Sequence, residues 1–278
     1  KFVFPNGDLL CLGVVLQLMN QMGPLMAPKI SIRFINVMEN SGLPKIYTRR
    51  VLFMKIARMQ RKKFKIKVSA ETENYRLHLA RYIPETFITE YPHIVKAKRS
   101  NKSNEIKIGI LGSARPDKGF EELNQIIPLV QSSNLGNRTS FLVQEATHSW
   151  SLRYDEVMYS LRQFSKVALL PGYISDSQME QAISSCSYLL LPYDSNVYRY
   201  RGSAMLFDAA DLKIPIIAPA GTGMGTVIRR FGIGATYSNS LEIPAAILYL
   251  SKLKQSEINE RFDTYNSFRN FSIKKFFE

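Results

Sequence analysis

Three short stretches of the chain place cations, glycines and a helix start side by side. The densest is Tyr198 to Gly225, YRYRGSAMLFDAADLKIPIIAPAGTGMG. Arg199, Arg201, Gly202 and Ser203 stand just before an apolar helical run, Ala204 to Ala210. Ser203 suits the N-cap, because its hydroxyl can accept a bond from a helix N–H. Gly202 lets a ligand approach the backbone. A helix N-terminus favours anions, and the arginine fork fits phosphate oxygens two at a time. Asp208 lies one to two turns further on, where a carboxylate could accept bonds from sugar hydroxyls. Gly221 and Thr222 open the Gly-rich loop that follows the buried strand Ile214 to Pro219.

The second stretch, Gly112-Ser113-Ala-Arg115-Pro-Asp-Lys118-Gly119, follows a strand and leads into a helix. Two cations in such a turn make a diphosphate cradle. The pattern is neither the P-loop nor the dinucleotide GxGxxG. In the third, Pro171-Gly-Tyr173-Ile174-Ser-Asp176, backbone N–H and C=O groups could lie against a nucleobase. Taken singly, each stretch also reads as an ordinary cap or loop of an α/β domain. Taken together, all three follow strands of one region, and in open α/β sheets ligands bind at that edge.

The elements that must position these turns alternate strand and helix, which predicts parallel sheets. Strands are expected at 1–4, 29–37, 64–68 and 87–91, with helices at 9–22, 45–63 and 73–82 between them. A second series has strands at 106–111, 139–144, 167–170, 188–192 and 214–219. Its helices fall at 120–130, 154–164, 176–185, 204–210, 241–254 and 258–277. The polar run Lys96 to Glu105, KAKRSNKSNE, marks a linker. The expected domains are 1–98, a partial N-terminal acceptor-side domain that opens directly in a strand, and 99–278, with a C-terminal helix returning to the first domain.

The 278 residues carry a net charge of +14, very unevenly spread. Residues 1–100 hold 18 Lys and Arg against 6 Asp and Glu. That bias points to an anionic partner: a membrane surface, nucleic acid or an acidic substrate. Nine of the cations fall between Arg49 and Lys67, beside Leu52, Phe53, Met54 and Met59. The segment 45–67 could rest on an anionic membrane, or simply be a solvated helix face. No apolar run reaches the ~18 residues of a span. The two cysteines, Cys11 and Cys186, are expected as buried free thiols. The three histidines share no metal-ligand spacing, so no metal site is expected.

Residues 106–250 resemble the donor-binding domain of GT-B fold glycosyltransferases of group 1, the class that includes family 4. Gly112 to Gly119 matches the class's Gly-Arg…Lys-Gly loop, with the arginine displaced by two places to Arg115. Gly172 to Pro192 matches its Gly, helix and strand ending in Pro. Pro215 fixes the register of an E-x7-E signature. Its second acid falls at Asp208, and its first is replaced by Tyr200. Arg201-Gly202-Ser203 is similar to the Arg-x-Ser of some subfamilies.

The resemblance implies an α/β protein with two Rossmann-like parallel-sheet domains facing a cleft, the first one short. It implies metal-independent sugar transfer from a nucleoside-diphosphate-sugar to a glycan or lipid-linked acceptor, in surface polysaccharide assembly. Arg115 and Lys118 would neutralise the departing diphosphate. Gly112, Ser113, Tyr173, Ile174, Arg201, Gly202, Ser203, Asp208, Gly221 and Thr222 would hold the donor. The co-substrate replaces any resident cofactor. The expected place is cytoplasmic, peripheral at the inner face of the membrane. Glu39 and Glu71, which follow strands, are candidate bases for the acceptor hydroxyl, although each reads first as a solvated or structural acid; retention or inversion stays open. Two other readings remain: a basic nucleic-acid-binding protein, although Phe53 and Phe64 make a poor stacking platform, and a non-catalytic sugar-nucleotide-binding remnant.

Overall fold

The computed structural model describes residues 2–4, 9–35, 43–88 and 105–278. Glu39 and the 98/99 boundary lie outside them, as does nearly all of the polar run 96–105. The chain forms two compact units. Unit 1 comprises Lys1–Pro92, Arg199–Gly202 and Phe268–Glu278; unit 2 comprises His93–Tyr198 and Ser203–Ser267.

Unit 1 runs β1 (Phe2–Phe4), α1 (Leu9–Met26), β2 (Ile30–Phe34), α2 (Leu43–Arg61), β3 (Ile66–Ala70), α3 (Glu73–Ala80) and β4 (Thr86–Ile88). Its sheet is parallel, in the order β1-β2-β3-β4. Right-handed crossovers between successive neighbours put all three helices on one face. The core there joins Leu12, Leu16 and Met19 of α1 to Leu52, Phe53, Ile56 and Met59 of α2. Ile30, Ile32, Phe34, Ile66 and Val68 face them from the sheet. Three of the apolar residues expected to rest on a membrane, Leu52, Phe53 and Met59, are therefore core residues. Val51 and Met54 are the exposed ones, beside the exposed Arg50, Arg58 and Arg61. At Gly23, φ of 78° interrupts α1 where Gly-Pro was expected to end it. Cys11 is exposed, against expectation, because the buried stripe of α1 falls on 12, 16 and 19.

Unit 2 runs β5 (Ile106–Ile110), α4 (Leu123–Gln131), β6 (Thr139–Gln144), α5 (Leu152–Gln163), β7 (Val167–Leu170), α6 (Asp176–Ser184) and β8 (Tyr188–Leu190). It continues with α7 (Ser195–Tyr198), α8 (Ala204–Asp211), β9 (Ile216–Pro219), α9 (Gly223–Phe231), β10 (Gly234–Tyr237), α10 (Ile243–Ser251) and α11 (Gln255–Phe277), whose last turns belong to unit 1. The strand order is β10-β9-β8-β5-β6-β7, parallel throughout. The chain winds one way from β5 through β6 to β7, then returns to β8 and winds the other way. The order reverses between β5 and β8, and in sheets of this kind ligands bind at that point, outside the strands' carboxyl ends.

The helix α9 and strand β10 were not expected from the sequence, because Gly-Thr-Gly-Met-Gly reads as loop. Thr222 overrides those glycines by capping α9: its hydroxyl accepts the Gly225 N–H at 3.0 Å. The thiol of Cys186 is buried, and burial pushes its pKa up to about 11.

Candidate functional site

The turns after β5 and β8 meet at the switch point of unit 2. Gly119 has φ of +69°, and a Cβ added there would lie 1.8 Å from the Pro192 carbonyl oxygen. Only glycine lets the two backbones come this close. Beside it the Asp194 N–H donates to the Asp117 carbonyl at 3.1 Å. The β5 turn, which carries Arg115 and Lys118, is therefore fixed against the β8 turn, which carries Tyr193 and Tyr198.

These two tyrosines organise the cations. Their rings lie 4.5 Å apart. Lys118 Nζ sits 5.8 Å from the Tyr193 ring, where the π face favours a cation. Arg115 donates to Tyr198 Oη at 3.2 Å and pairs with Asp117 at 3.1 Å. The Tyr198 hydroxyl in turn donates to Asp117 at 3.3 Å. Ser203 donates to Tyr193 Oη at 3.4 Å. Arg115, Lys118 and Ser203 are thus gathered around one tyrosine pair. Ser203 occupies the N-cap position of α8, yet its hydroxyl makes no capping bond there.

Burial lowers the pKa of Lys118; the neighbouring Arg115 cation lowers it further, and Asp117 opposes both. Burial raises the hydroxyl pKa of Tyr193 far out of the physiological range, so the hydroxyl stays neutral. Arg115 is half exposed, so its pair with Asp117 holds geometry and contributes at most about 1 kcal/mol to stability. The arrangement is a partly desolvated double cation with hydroxyl donors nearby, suited to a diphosphate.

The remaining expected residues fall into three groups. Gly112, with φ of +91°, lies against Lys118 Nζ, and Ser113 follows it, half-buried. Tyr173 is exposed and Ile174 half-buried in the turn after β7. That turn is joined to Gly112 through Gln144, a residue with no conspicuous sequence signal. Asp208 is buried on α8. Gly221 lies against Ser195 at the start of α7. Thr222 is fully buried, with its hydroxyl engaged in the α9 cap and on the Pro219 carbonyl.

Arg201 and Gly202 belong to unit 1. There the segment 199–202 lies on the β3–α3 turn. Thr72 donates to the Tyr200 carbonyl and Asn74 to the Arg199 carbonyl, both at 2.8 Å. The Gly202 N–H donates to Glu71 at 3.0 Å. The Tyr200 ring packs 5.1 Å from His78 and 6.0 Å from Tyr75. Glu71 also holds Arg33 at 2.9 Å, and both side chains are largely buried. Burial raises the Glu71 pKa, while Arg33, the Gly202 N–H and Arg201 act to lower it. Among the described residues no group of three His, Cys, Asp or Glu gathers as a metal site would require.

Known structures share this architecture. The chain superposes on an Anabaena HepE structure in complex with UDP with a TM-score of 0.73. The identity is 13%, over 99% of this chain and 77% of that one. TarM gives a TM-score of 0.61 at 16% identity, over 90% of this chain and 48% of TarM. A UDP-forming α,α-trehalose-phosphate synthase from Burkholderia xenovorans gives 0.61 at 7% identity, over 94% and 68%. The chain therefore spans about half the length of TarM. No sequence-family profile and no curated protein matches it. At these identities the likeness is one of fold, and the fold is the GT-B fold.

Proposed function

We propose that the chain is a glycosyltransferase that moves a sugar from a nucleoside-diphosphate-sugar to a glycan or lipid-linked acceptor. The observation that carries this reading is the meeting of Arg115, Lys118 and Ser203 at the switch point of the second sheet. The sugar–phosphate bond breaks with the electron pair leaving on the diphosphate, the acceptor hydroxyl oxygen bonds to the anomeric carbon, and its proton passes to solvent or to the departing phosphate. Arg115 and Lys118 stabilise that charge as it develops, the largest contribution a site of this kind can make. Two cations take the part that a metal plays elsewhere, and no resident cofactor is invoked. Tyr173 and Ile174 lie toward the base; Asp208, Gly221 and Thr222 shape the ground around the donor. UDP is the first nucleotide to test, since one HepE structure holds UDP and another holds UDP-glucose.

The acceptor is proposed to be a surface glycan or its lipid-linked precursor. It would be reached at an anionic membrane through the basic segment 45–67, from the cytoplasmic side. Exposed Arg50, Arg58 and Arg61 support that part of the reading. No helix among the described residues is long and apolar enough to cross a membrane.

The test of the donor site is a titration with UDP, GDP and ADP followed by thermal unfolding. One nucleotide should raise the melting temperature, by mass action on the folded state. Arg115→Ala and Lys118→Ala should each weaken that ligand by about 10- to 100-fold, as expected for a charge-assisted bond. Wild-type protein that no nucleotide stabilises would remove the proposal.

A further inference from the structure

Strand β6 lies between β5 and β7, and its last residue is Gln144. The residue is only 4% exposed. Its side-chain oxygen accepts the Gly112 N–H at 2.7 Å, and its side-chain nitrogen donates to the Gly172 carbonyl at 3.2 Å. One amide therefore spans from the turn that carries Lys118 to the turn that carries Tyr173 and Ile174. The task needs an acceptor at one end of a planar group and a donor at the other, which the glutamine amide supplies on a stem that reaches both turns. Gly112 also lies close to the Lys118 ammonium: a Cβ built on it would stand 2.9 Å from Nζ.

The segment after β6 braces the same place. Trp150 donates its indole N–H to the Ala114 carbonyl at 3.1 Å. Tyr154 accepts the Ala146 N–H at 3.1 Å and stacks on Phe120 with ring centres 5.2 Å apart. Both partners, Ala114 and Phe120, flank the cations of the β5 turn.

We propose that Gln144 is a positioning residue that couples the base-side turn to the diphosphate-side turn, so that the two halves of a nucleotide are recognised as one ligand. The inference rests on the donor-binding reading above. Broken at Gln144, each turn keeps its own contacts but loses its register with the other. Binding of an intact nucleotide then falls further than binding of a bare diphosphate.

Trp150 is the single tryptophan of the chain, so its emission reports on the β5 turn. The wild-type chain and Gln144→Met are titrated with inorganic pyrophosphate and with whichever of UDP, GDP and ADP binds most tightly. Wild-type protein should prefer the nucleotide. The variant should lose about tenfold of that preference, the scale of one or two hydrogen bonds, with pyrophosphate affinity changing less. Equal losses for both ligands, or no loss, would overturn the coupling whatever the melting temperature does. Gln144→Asn keeps the amide on a stem too short to reach both turns. It should show the same loss of preference, and it carries the test if the methionine variant does not fold. Wild-type protein that binds neither ligand would defeat the donor-binding reading, and this inference with it.

Discussion

The carboxyl edges of the two sheets treat a desolvated cation in opposite ways. In unit 1, Arg33 is almost fully enclosed and meets the Glu71 carboxylate at 2.9 Å. Charge is balanced inside the fold, and the second carboxylate oxygen takes the Gly202 N–H. In unit 2, Lys118 faces a tyrosine ring, with a second cation close enough to lower its pKa. A carboxylate is present there too, but Asp117 is spent bidentately on Arg115. At the first edge the fold itself supplies the counter-charge. The second keeps positive charge in a partly desolvated place, the arrangement expected where a ligand rather than the fold supplies the negative charge.

That contrast can be broken most forcefully at Glu71. Glu71→Ala removes the carboxylate from a buried pair and should destabilise the protein by about 3–5 kcal/mol, read from urea unfolding. A loss below about 1 kcal/mol, the size of an exposed pair, would mean that the two edges do not differ as described.

At the other edge the sign should reverse. Lys118→Met relieves a desolvated charge, so the ligand-free variant should melt above the wild type at neutral pH while losing nucleotide binding. The pH dependence follows from linkage. The folded pKa of Lys118 is lowered, so in the interval up to its ordinary value of about 10.5 the unfolded chain holds more protons. Wild-type stability therefore gains from this residue as pH rises through that interval, and the gap to Lys118→Met should close. A variant less stable than wild type at every pH would place Lys118 with Arg33, as a structural cation.

The smallest effect is expected at Tyr198. Tyr198→Phe keeps the ring against Tyr193 and removes the hydroxyl held between Arg115 and Asp117. Nucleotide affinity should fall about fivefold, the contribution of one hydrogen bond, with the melting temperature little changed. An unchanged affinity would show that Asp117 alone orients the guanidinium.

Much of this architecture was legible in the sequence because period-2 and period-3.6 patterns are local. The strands at 139–144 and 167–170 coincide with those expected. Most other elements shift by a few residues at their ends, where caps and tertiary contacts decide. The short α7 escaped, and so did α9 and β10, where helix propensity argued for loop and a buried threonine cap prevailed. The site was legible only in its charges and glycines. Arg115, Lys118 and Ser203 announce themselves by type, whereas Tyr193, Tyr198 and Gln144 look like core or strand-end residues until the fold brings them together. The placement of Gly202 against Glu71 was equally hidden, since the partners lie 131 positions apart.

The two sulfhydryls differ enough to be told apart chemically. Cys186 is buried with its pKa raised to about 11, so almost none of it is thiolate near neutrality, whereas Cys11 stands open on α1. A maleimide dye or spin label would therefore mark the first unit at one defined point, with no cysteine engineered in or out.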